Sequence, residues 1–259
     1  MKNLFNVVVI VLALAIAYFV YFFIMGNHNG FIGGDLHQPK PGYVLATIYT
    51  GGPLVGLLLA LIIIAITFSF ERFFSINKAR GKGNVAMFIK GVQDNLVKGD
   101  IDTAITECDN QRGSVANVLR AAIERFKEVE SDTEFGPDKK ISEVQRSIDE
   151  AVNLETPLLE KNLVILSTIS SVSVLVGLLG TTIGMIRAFQ ALAVSGTVSA
   201  IQLSIGISEA LYNTAGGLIG AILSILAFNF FTTKVDGFVY MIDEAILNIT
   251  QILTIRVKK

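Results

Sequence analysis

The residue with the clearest chemical potential is Glu209, an acid inside a long apolar stretch. It is the only charged residue between positions 202 and 231. An ionisable side chain at membrane depth costs about 2.5 to 3.5 kcal/mol on insertion scales, so it faces protein or a water-filled cavity rather than lipid. Glu209 therefore predicts a functional site inside a membrane. The structural alternative is a protonated Glu209 that hydrogen-bonds a neighbouring helix.

Two threonines are the other candidate site residues. If the stretches around Thr181 and Glu209 form an antiparallel hairpin turning near residue 195, both residues lie 14 positions from the turn. They would then have similar depth, and could meet across one interface or line one cavity. Thr214 is rotated from Glu209 by about 140° on an ideal helix, so the two share a cavity only if it is wide. Otherwise one of them faces an adjacent subunit, or Thr214 bonds its own backbone carbonyl one turn back.

Small residues recur beside these polar groups. Between 167 and 188 one helical face is almost wholly small or hydroxylated: Ser167, Ser171, Val174, Gly177, Thr181, Gly184 and Ala188. Small side chains let helices approach closely in lipid. We therefore predict packing faces at Gly177, Gly180, Gly184, Gly216, Gly217 and Gly220.

The elements that must position these residues are membrane helices. Hydrophobic residues make up 52% of the 259 and charged residues 17%, against about 25% charged in a soluble domain. Four stretches are almost free of charge: 4–25, 53–70, 162–186 and 202–231. About 20 apolar residues cross a bilayer as a helix. The first stretch exceeds a signal peptide's apolar core, which favours an uncleaved anchor over a cleaved leader.

The charges are concentrated in one block. Residues 71–157 carry 29 of the 43 Lys, Arg, Asp and Glu residues. Basic residues cluster at 71–90 and in the C-terminal tail, and Lys and Arg near span ends stay in the cytoplasm. We therefore predict that both termini are cytoplasmic. The net charge of −1 predicts no nucleic-acid partner, because such binding requires a concentrated basic surface.

The sequence pattern of the charged block predicts helices. Apolar residues between 115 and 129 fall on one face of an α-helix, and a shorter helix is predicted over 86–98, with a restart at Gly99-Asp100. Gly136-Pro137 breaks the pattern, after which a helix is predicted to run into the third span with a bend near Pro157. Cys108, His28 and His37 have no companion ligands. We predict no enzyme activity, no metal site and no cofactor.

The predicted fold class is therefore all-α, a polytopic membrane protein whose long transmembrane helices extend into a cytoplasmic helical bundle. The predicted segments are an N-terminal transmembrane anchor (1–28), a periplasmic loop (29–52), a transmembrane helix with its cytoplasmic exit (53–80), a cytoplasmic helical region (81–157), a transmembrane helix (158–192), a short periplasmic turn (193–201), a transmembrane helix (202–233) and a cytoplasmic C-terminal helix (234–259).

The sequence resembles the MotA/TolQ/ExbB proton-channel family, in particular its ExbB and TolQ branch. The matching stretches are GLLGTTIGMIRAF (177–189), GISEALYNTAGGLIGAI (206–222), Glu71-Arg72 at the end of a span, and GDIDTAITECDNQRGSVANVLRAAIERF in the charged block. Each motif alone is weak, but their order and spacing make the resemblance specific. Together they sample most of residues 55–235.

The resemblance implies an energy transducer of the bacterial inner membrane. In that family a homo-oligomeric ring, a pentamer, encloses two copies of a single-span partner of ExbD or TolR type, which carries the proton-binding Asp. The ring supplies polar pore residues, here Thr181, Glu209 and Thr214. Proton flow is thought to rotate ring and partner against each other, and a TonB-like protein transmits the motion to the outer membrane.

Two features depart from the family pattern. The familiar member has three spans and an external N-terminus, whereas residues 4–25 add a fourth span. Residues 182 and 183 are Thr and Ile, where the family often has bulkier side chains, so we expect the local pore lining to differ.

Three hypotheses follow. A motor subunit predicts that Glu209 and Thr181 face a central lumen, in a system that energises either TonB-dependent transport or, as in TolQ, envelope integrity. A membrane scaffold without ion conduction predicts that Glu209 is fully paired within its own protomer. A flagellar torque generator is disfavoured, because that branch has a much larger cytoplasmic domain and lacks the Glu.

Overall fold

The computed structural model describes residues 2–36, 38–132, 134–195 and 200–257. In these ranges the chain is helical, with turns, one isolated β-bridge between Phe31 and Pro39, and no strand. The α-helices are α1 (Lys2–Phe19), α2 (Val44–Tyr49), α3 (Leu54–Arg80), α4 (Val85–Lys98), α5 (Ile101–Gln111), α6 (Ser114–Glu130), α7 (Pro137–Glu160), α8 (Leu163–Ser195) and α9 (Ala200–Val257). The all-α prediction is confirmed.

The chain divides into two compact units. The membrane unit comprises Met1–Phe70 and Asn162–Asn229, and the polar unit comprises Glu71–Lys161 and Phe230–Lys259. Both units are assembled from segments that are distant in sequence.

Four helical stretches are long and apolar enough to cross a membrane, counting only the described parts of the chain. They lie within Asn6–Met25, Leu54–Lys98, Pro137–Gln190 and Leu203–Val257. In the most apolar 18 residues of each, only 17% to 39% are buried inside the chain. Most of this apolar surface is therefore left for lipid or for other protein chains to cover.

The first span packs against α3 within the membrane unit. A π-helical turn, Val20–Met25, follows α1, and its Tyr21 and Met25 form a buried cluster with Val55 of α3. The Tyr21 ring stacks on Tyr49 of α2, with ring centroids 4.6 Å apart. The turn that ends the first span therefore packs against both α2 and the start of α3.

The core of the polar unit forms around α6. The predicted apolar face is confirmed, since all seven of its residues are at most 2% exposed: Val115, Val118, Leu119, Ala122, Ile123, Phe126 and Val129. The predicted 86–98 helix is α4, which ends at Gly99 in the left-handed region with φ 86°. Asp100 then caps α5 by accepting a hydrogen bond from the Thr103 backbone N–H. The predicted restart at Gly99-Asp100 is therefore confirmed.

The third span begins differently from the prediction. Pro157 lies inside α7, and the helix is interrupted instead at Lys161 and Asn162. Asn162 has a φ of 63°, a left-handed conformation that Asn tolerates better than most residues. Its side-chain oxygen accepts a hydrogen bond from Asn6 of α1 at 3.0 Å. The sequence analysis predicted a bend near Pro157, whereas the helix is interrupted about one turn later, at Lys161 and Asn162.

The last helix is longer than either predicted segment. α9 runs from Ala200 to Val257 without a break, whereas the predicted segments divide at residue 233. Its C-terminal part buries an apolar face that the sequence analysis missed, with a spacing of three or four residues: Phe231, Val235, Phe238, Ile242, Ala245, Ile249 and Leu253. This spacing is the signal of an amphipathic helix. The predicted turn at 193–201 includes residues 196–199, which lie outside the described residues, as does His37.

Candidate functional site

Helices α8 and α9 cross at glycines. A β-carbon built on Gly180 would overlap Asn213 Cβ, and one on Gly184 would lie 2.8 Å from the Ala210 nitrogen. A β-carbon on Gly217 would lie 2.5 Å from the Ser173 carbonyl oxygen, and one on Gly177 would lie 3.0 Å from that of Asn213. The backbones of α8 and α9 are therefore in close contact at these glycines. Such contact is possible because small residues let membrane helices approach each other closely.

The two remaining predicted packing glycines of α9 turn partly toward α3. A β-carbon on Gly216 would lie 3.2 Å from Leu58 Cδ1 of α3. One on Gly220 would lie 3.0 Å from Ser173 Oγ of α8 and 3.5 Å from Ile62 of α3. Ser173 is fully buried, whereas Ser171, which the sequence placed on the contact face, is exposed.

The crossing brings the two predicted threonines together. The Thr181 and Thr214 hydroxyls form a hydrogen bond in which either oxygen can be the donor. Thr181 Oγ1 also lies 3.2 Å from its own-helix acceptor, the Gly177 carbonyl, and 3.5 Å from the Ala210 carbonyl of α9. The bond to a backbone carbonyl one turn back, which the sequence suggested for Thr214, is therefore made by Thr181. Both threonines are half-buried in the single chain.

Glu209 pairs with an arginine rather than with Thr181. Arg187 of α8 donates a hydrogen bond from Nη1 to Glu209 Oε1. The Glu209 side chain is 9% exposed, and that of Arg187 is 52% exposed. The buried carboxylate therefore has as its counter-ion a cation that reaches the surface of the chain. Such a pair lowers the cost of placing an acid at membrane depth.

The loop before α3 closes over the same carboxylate. Gly52 has a φ of +79°, and a β-carbon there would lie 2.7 Å from Glu209 Oε1 and 3.7 Å from Arg187 Nη1. Glycine is therefore required twice, for its left-handed backbone and for its close approach to the acid. The loop supplies a wall of the Glu209 site that the sequence analysis missed.

Asn213 fastens that loop to α9. It is fully buried, and its Nδ2 donates to the Gly51 carbonyl at 2.7 Å and to the Glu209 carbonyl at 3.0 Å. The asparagine lies one helical turn after Glu209, so it holds the acid's own turn and the Gly51-Gly52 backbone in a fixed relation. Its Oδ1 is buried without a hydrogen-bond partner among the described residues.

The sequence carried signals for these additional residues. Arg187 is the only basic residue in α8, and an opposite charge on a neighbouring membrane helix is a natural partner for a buried acid. Asn213 follows Glu209 by four residues, so it lies on the same helical face. A polar site thus comprises an ion pair, Arg187 and Glu209, and a hydroxyl pair, Thr181 and Thr214. We call these four residues the polar quartet.

The chemistry that the polar quartet can perform is proton binding and hydrogen bonding. A carboxylate can bind and release a proton, and paired hydroxyls can donate and accept hydrogen bonds in turn. Arg187 supplies a fixed positive charge, because guanidinium stays protonated. The described part of the chain shows no group of three or more His, Cys, Asp or Glu residues arranged to hold a metal ion.

Comparison with known proteins agrees with the resemblance seen in the sequence. Residues 87–244 match the sequence profile of the MotA/TolQ/ExbB proton channel family. That range contains the whole polar quartet and the α8–α9 crossing, and leaves α1 and Gly52 outside.

Individual relatives belong to both named branches. The Tol-Pal system protein TolQ of Pseudomonas aeruginosa is 33% identical over 120 residues, which are 46% of this chain and 52% of that protein. TolQ of Haemophilus influenzae is 29% identical over 181 residues, covering 68% of this chain and 79% of that protein. The biopolymer transport protein ExbB of Helicobacter pylori is 42% identical over 87 residues, covering 34% and 58%. The match thus spans about half the length of the Pseudomonas relative.

The profile match covers more than half of the chain, and the four apolar helical stretches accord with a channel family. The chain is a multi-pass inner-membrane protein that belongs to the MotA/TolQ/ExbB proton channel family.

Proposed function

We propose that this chain is the ring-forming subunit of a motor driven by the proton-motive force, of the ExbB–ExbD type, which energises TonB-dependent transport across the outer membrane. The observation that carries the proposal is Glu209, a buried acid in a membrane span, paired with Arg187 beside the hydroxyls of Thr181 and Thr214. The family assignment supplies the ion-channel context.

The polar quartet is accessible enough for this role. Arg187 is 52% exposed in the single chain, and Thr181 and Thr214 are half-buried. In the proposed ring these groups face the lumen, where they meet a single-span partner of ExbD or TolR type that carries a proton-binding Asp. Arg187 then offers that Asp a competing cation, and the threonines offer it hydrogen bonds.

The apolar surface of the chain supports assembly into a homo-oligomer. Large apolar side chains on α9 remain more than 50% exposed, including Leu211, Ile219, Ile222 and Leu226. A pentameric ring would cover part of this surface and the bilayer the rest. Both termini and the polar unit are proposed to lie in the cytoplasm.

The energy of proton flow is available in small units. Each proton that crosses 100 mV supplies about 2.3 kcal/mol, so substantial mechanical work needs several protons. A ring would provide several equivalent sites at which they can act.

An envelope-integrity motor of the TolQ type is the second candidate. It is favoured by the long TolQ match, which covers 79% of the Haemophilus protein, whereas the Helicobacter ExbB match is higher in identity but shorter. Both candidates use the same polar quartet and the same kind of partner, and they differ in the protein that receives the motion.

A scaffold without ion conduction is the third candidate. It is favoured by one specific contact, the pairing of Glu209 with Arg187 of the same chain, because an acid neutralised in this way needs no partner. The decisive measurement is therefore ion flux rather than the position of the acid.

The test is co-expression of the chain with a single-span protein of ExbD or TolR type from the same organism, in a host that lacks its own ExbB, ExbD, TolQ and TolR. TonB-dependent uptake and resistance to detergent are measured together, and proton flux is measured in liposomes containing the purified complex. We expect uptake and flux with the native chain, and loss of both with Glu209→Ala and Thr181→Val while the complex still assembles.

The outcomes separate the three candidates. Restored detergent resistance without restored uptake would favour the TolQ type. Normal uptake in Glu209→Ala with an intact ring would remove that acid from the mechanism. Absence of proton flux from an assembled complex, together with no restored phenotype, would leave the scaffold.

A further inference from the structure

A cavity of about 470 Å³ lies within the polar unit, between the end of α3, the start of α4 and the middle of α9. Its apolar wall includes Phe73, Ile76, Phe231, Phe238 and Met241. Ligand sites in proteins have volumes of about 300 to 1,000 Å³, so the cavity is large enough for part of an elongated apolar molecule. It is independent of the polar quartet.

Two helices that line the cavity do so just after apolar stretches of the sequence. Phe73 follows the 53–70 stretch by three residues, and Phe231 is the last residue of the 202–231 stretch. Three residues of helix advance by about 4.5 Å. The apolar wall therefore begins within one helical turn of residues assigned to the membrane.

The charged residues that line the cavity are all basic among those described. Arg80 and Lys234 line the cavity, and its described lining contains no Asp or Glu. Among the described residues neither cation takes part in an ion pair, although the Lys234 ammonium lies 5.6 Å from the centre of the Phe230 ring. The first turn of α4, Val85 and Ala86, also lines the cavity, and the positive end of a helix dipole favours an anion.

One wall of the cavity contains a glycine. Gly237 lines it from the middle of α9, and a β-carbon there would meet no atom within 4 Å. Glycine lowers the stability of a helix relative to alanine, and here no neighbouring atom excludes a larger side chain. Packing within the chain therefore does not explain why residue 237 is a glycine, or why the volume in front of it is empty.

We propose that this cavity binds one anionic phospholipid, with an acyl chain along Phe73 and Phe231 and the phosphate between Arg80 and Lys234. The apolar wall fits a hydrocarbon chain, the two cations fit a negative headgroup, and the lining begins within one helical turn of the apolar stretches in the sequence. Each Lys or Arg near a membrane surface strengthens the binding of anionic lipid by about fivefold.

The sequence contains no tryptophan, so one introduced tryptophan is a unique fluorescent reporter. Phe73→Trp places it in the cavity. Phe74→Trp places it on the next residue of α3, which is 66% exposed and does not line the cavity. The full-length purified chain in neutral detergent is titrated with limiting phosphatidylglycerol or phosphatidylcholine whose acyl chains carry bromine, a contact quencher.

We expect brominated phosphatidylglycerol to quench Phe73→Trp more strongly than brominated phosphatidylcholine does, and both lipids to quench Phe74→Trp weakly and equally. In the Phe73→Trp chain, Arg80→Gln with Lys234→Gln should weaken phosphatidylglycerol binding by about 25-fold, as expected for two cations. Lys78→Gln with Lys82→Gln removes the same net charge outside the lining and should change binding little.

Two further arms identify the ligand. Gly237→Phe fills the cavity and should abolish the quenching of Phe73→Trp. Glycerol phosphate, which has the headgroup charge without acyl chains, should not displace the brominated lipid.

Equal quenching of Phe73→Trp by the two lipids, or equal loss of binding in both charge variants, would overturn the proposal. If Phe73→Trp is quenched by neither lipid and the chain is oligomeric by native mass measurement, a second copy covers the cavity and the proposal is wrong. The charge variants alter surface-accessible side chains, so they remain informative even if Gly237→Phe does not fold.

Discussion

Arg187 of α8 donates a hydrogen bond to the buried carboxylate of Glu209 in α9, so this membrane acid has its counter-ion on the neighbouring helix of the same chain. Because the arginine is half exposed and the acid is not, the pair has an inner and an outer member. A partner that approached from outside would meet the cation first.

The pair should behave as a unit in stability measurements. We expect Arg187→Met to lower the free energy of unfolding by about 1 to 3 kcal/mol, because it leaves a buried carboxylate without its cation. The double variant Arg187→Met with Glu209→Gln should recover most of that loss, since no unpaired charge remains. Thermal unfolding of the two single variants and the double variant in detergent measures this coupling. Additive effects would show that the two side chains do not interact.

The threonine pair should also show coupling. Thr181→Val and Thr214→Val each remove one hydroxyl at nearly constant volume, and each should cost about 1 kcal/mol. The double variant should cost less than the sum, because both hydroxyls belong to one hydrogen bond. Thr182→Val is the matched control, since Thr182 is exposed and, among the described residues, its hydroxyl donates only to the Leu179 carbonyl, at 2.7 Å. An effect of Thr182→Val as large as that of Thr181→Val would argue against a special role for the pair.

The glycines should differ according to what faces them. Gly217→Ala places a methyl group 2.5 Å from the Ser173 backbone oxygen, which cannot move without shifting a helix, so we expect poor folding. Gly216→Ala meets the end of the flexible Leu58 side chain at 3.2 Å and should be mild. Gly237→Ala meets nothing within 4 Å and should stabilise α9 by up to about 1 kcal/mol. Melting temperatures in detergent that fall in another order would refute this crossing geometry.

Cys108 should be unreactive in the folded chain. Burial, followed by the nearby charges of Asp109 and Glu107, raises the pKa of its thiol to about 12. The thiolate is the reactive form, and its fraction remains negligible at pH 7 to 9, growing only as the pH approaches 12. Because it is the only cysteine, the rate of reaction with a thiol reagent reports on the polar unit alone. Fast labelling at pH 8 without denaturant would mean that the core around α5 and α6 is open.

Local patterns determined much of the fold. The spacing of Val115, Leu119 and Phe126 predicted the buried face of α6, because helical periodicity and burial are properties of a short segment. Gly99-Asp100 predicted a stop and a restart, because a left-handed cap and a side-chain cap each need only neighbouring residues. The apolar stretches predicted the membrane helices for the same reason, and the motifs of 177–222 predicted the family.

Other features depend on how helices meet. Depth along a hairpin suggested that Thr181 and Glu209 approach each other, but the crossing at Gly180 and Gly184 turns Thr181 toward Thr214. The long side chain of Arg187 instead reaches Glu209. The rotation of one helix relative to another depends on which small residues are in contact. This rotation cannot be derived by counting residues from the turn.

The sequence by itself determined that an acid lies inside a membrane span, that small residues surround it and that the chain resembles a proton-channel family. Only the tertiary structure decided which groups surround the acid. Arg187, Asn213 and Gly52 come from three separate elements, and side chains so far apart along the chain are brought together by packing. The physical reason is that the burial of a side chain follows largely from the local composition of its helix. Which side chains then contact each other depends on the register between helices.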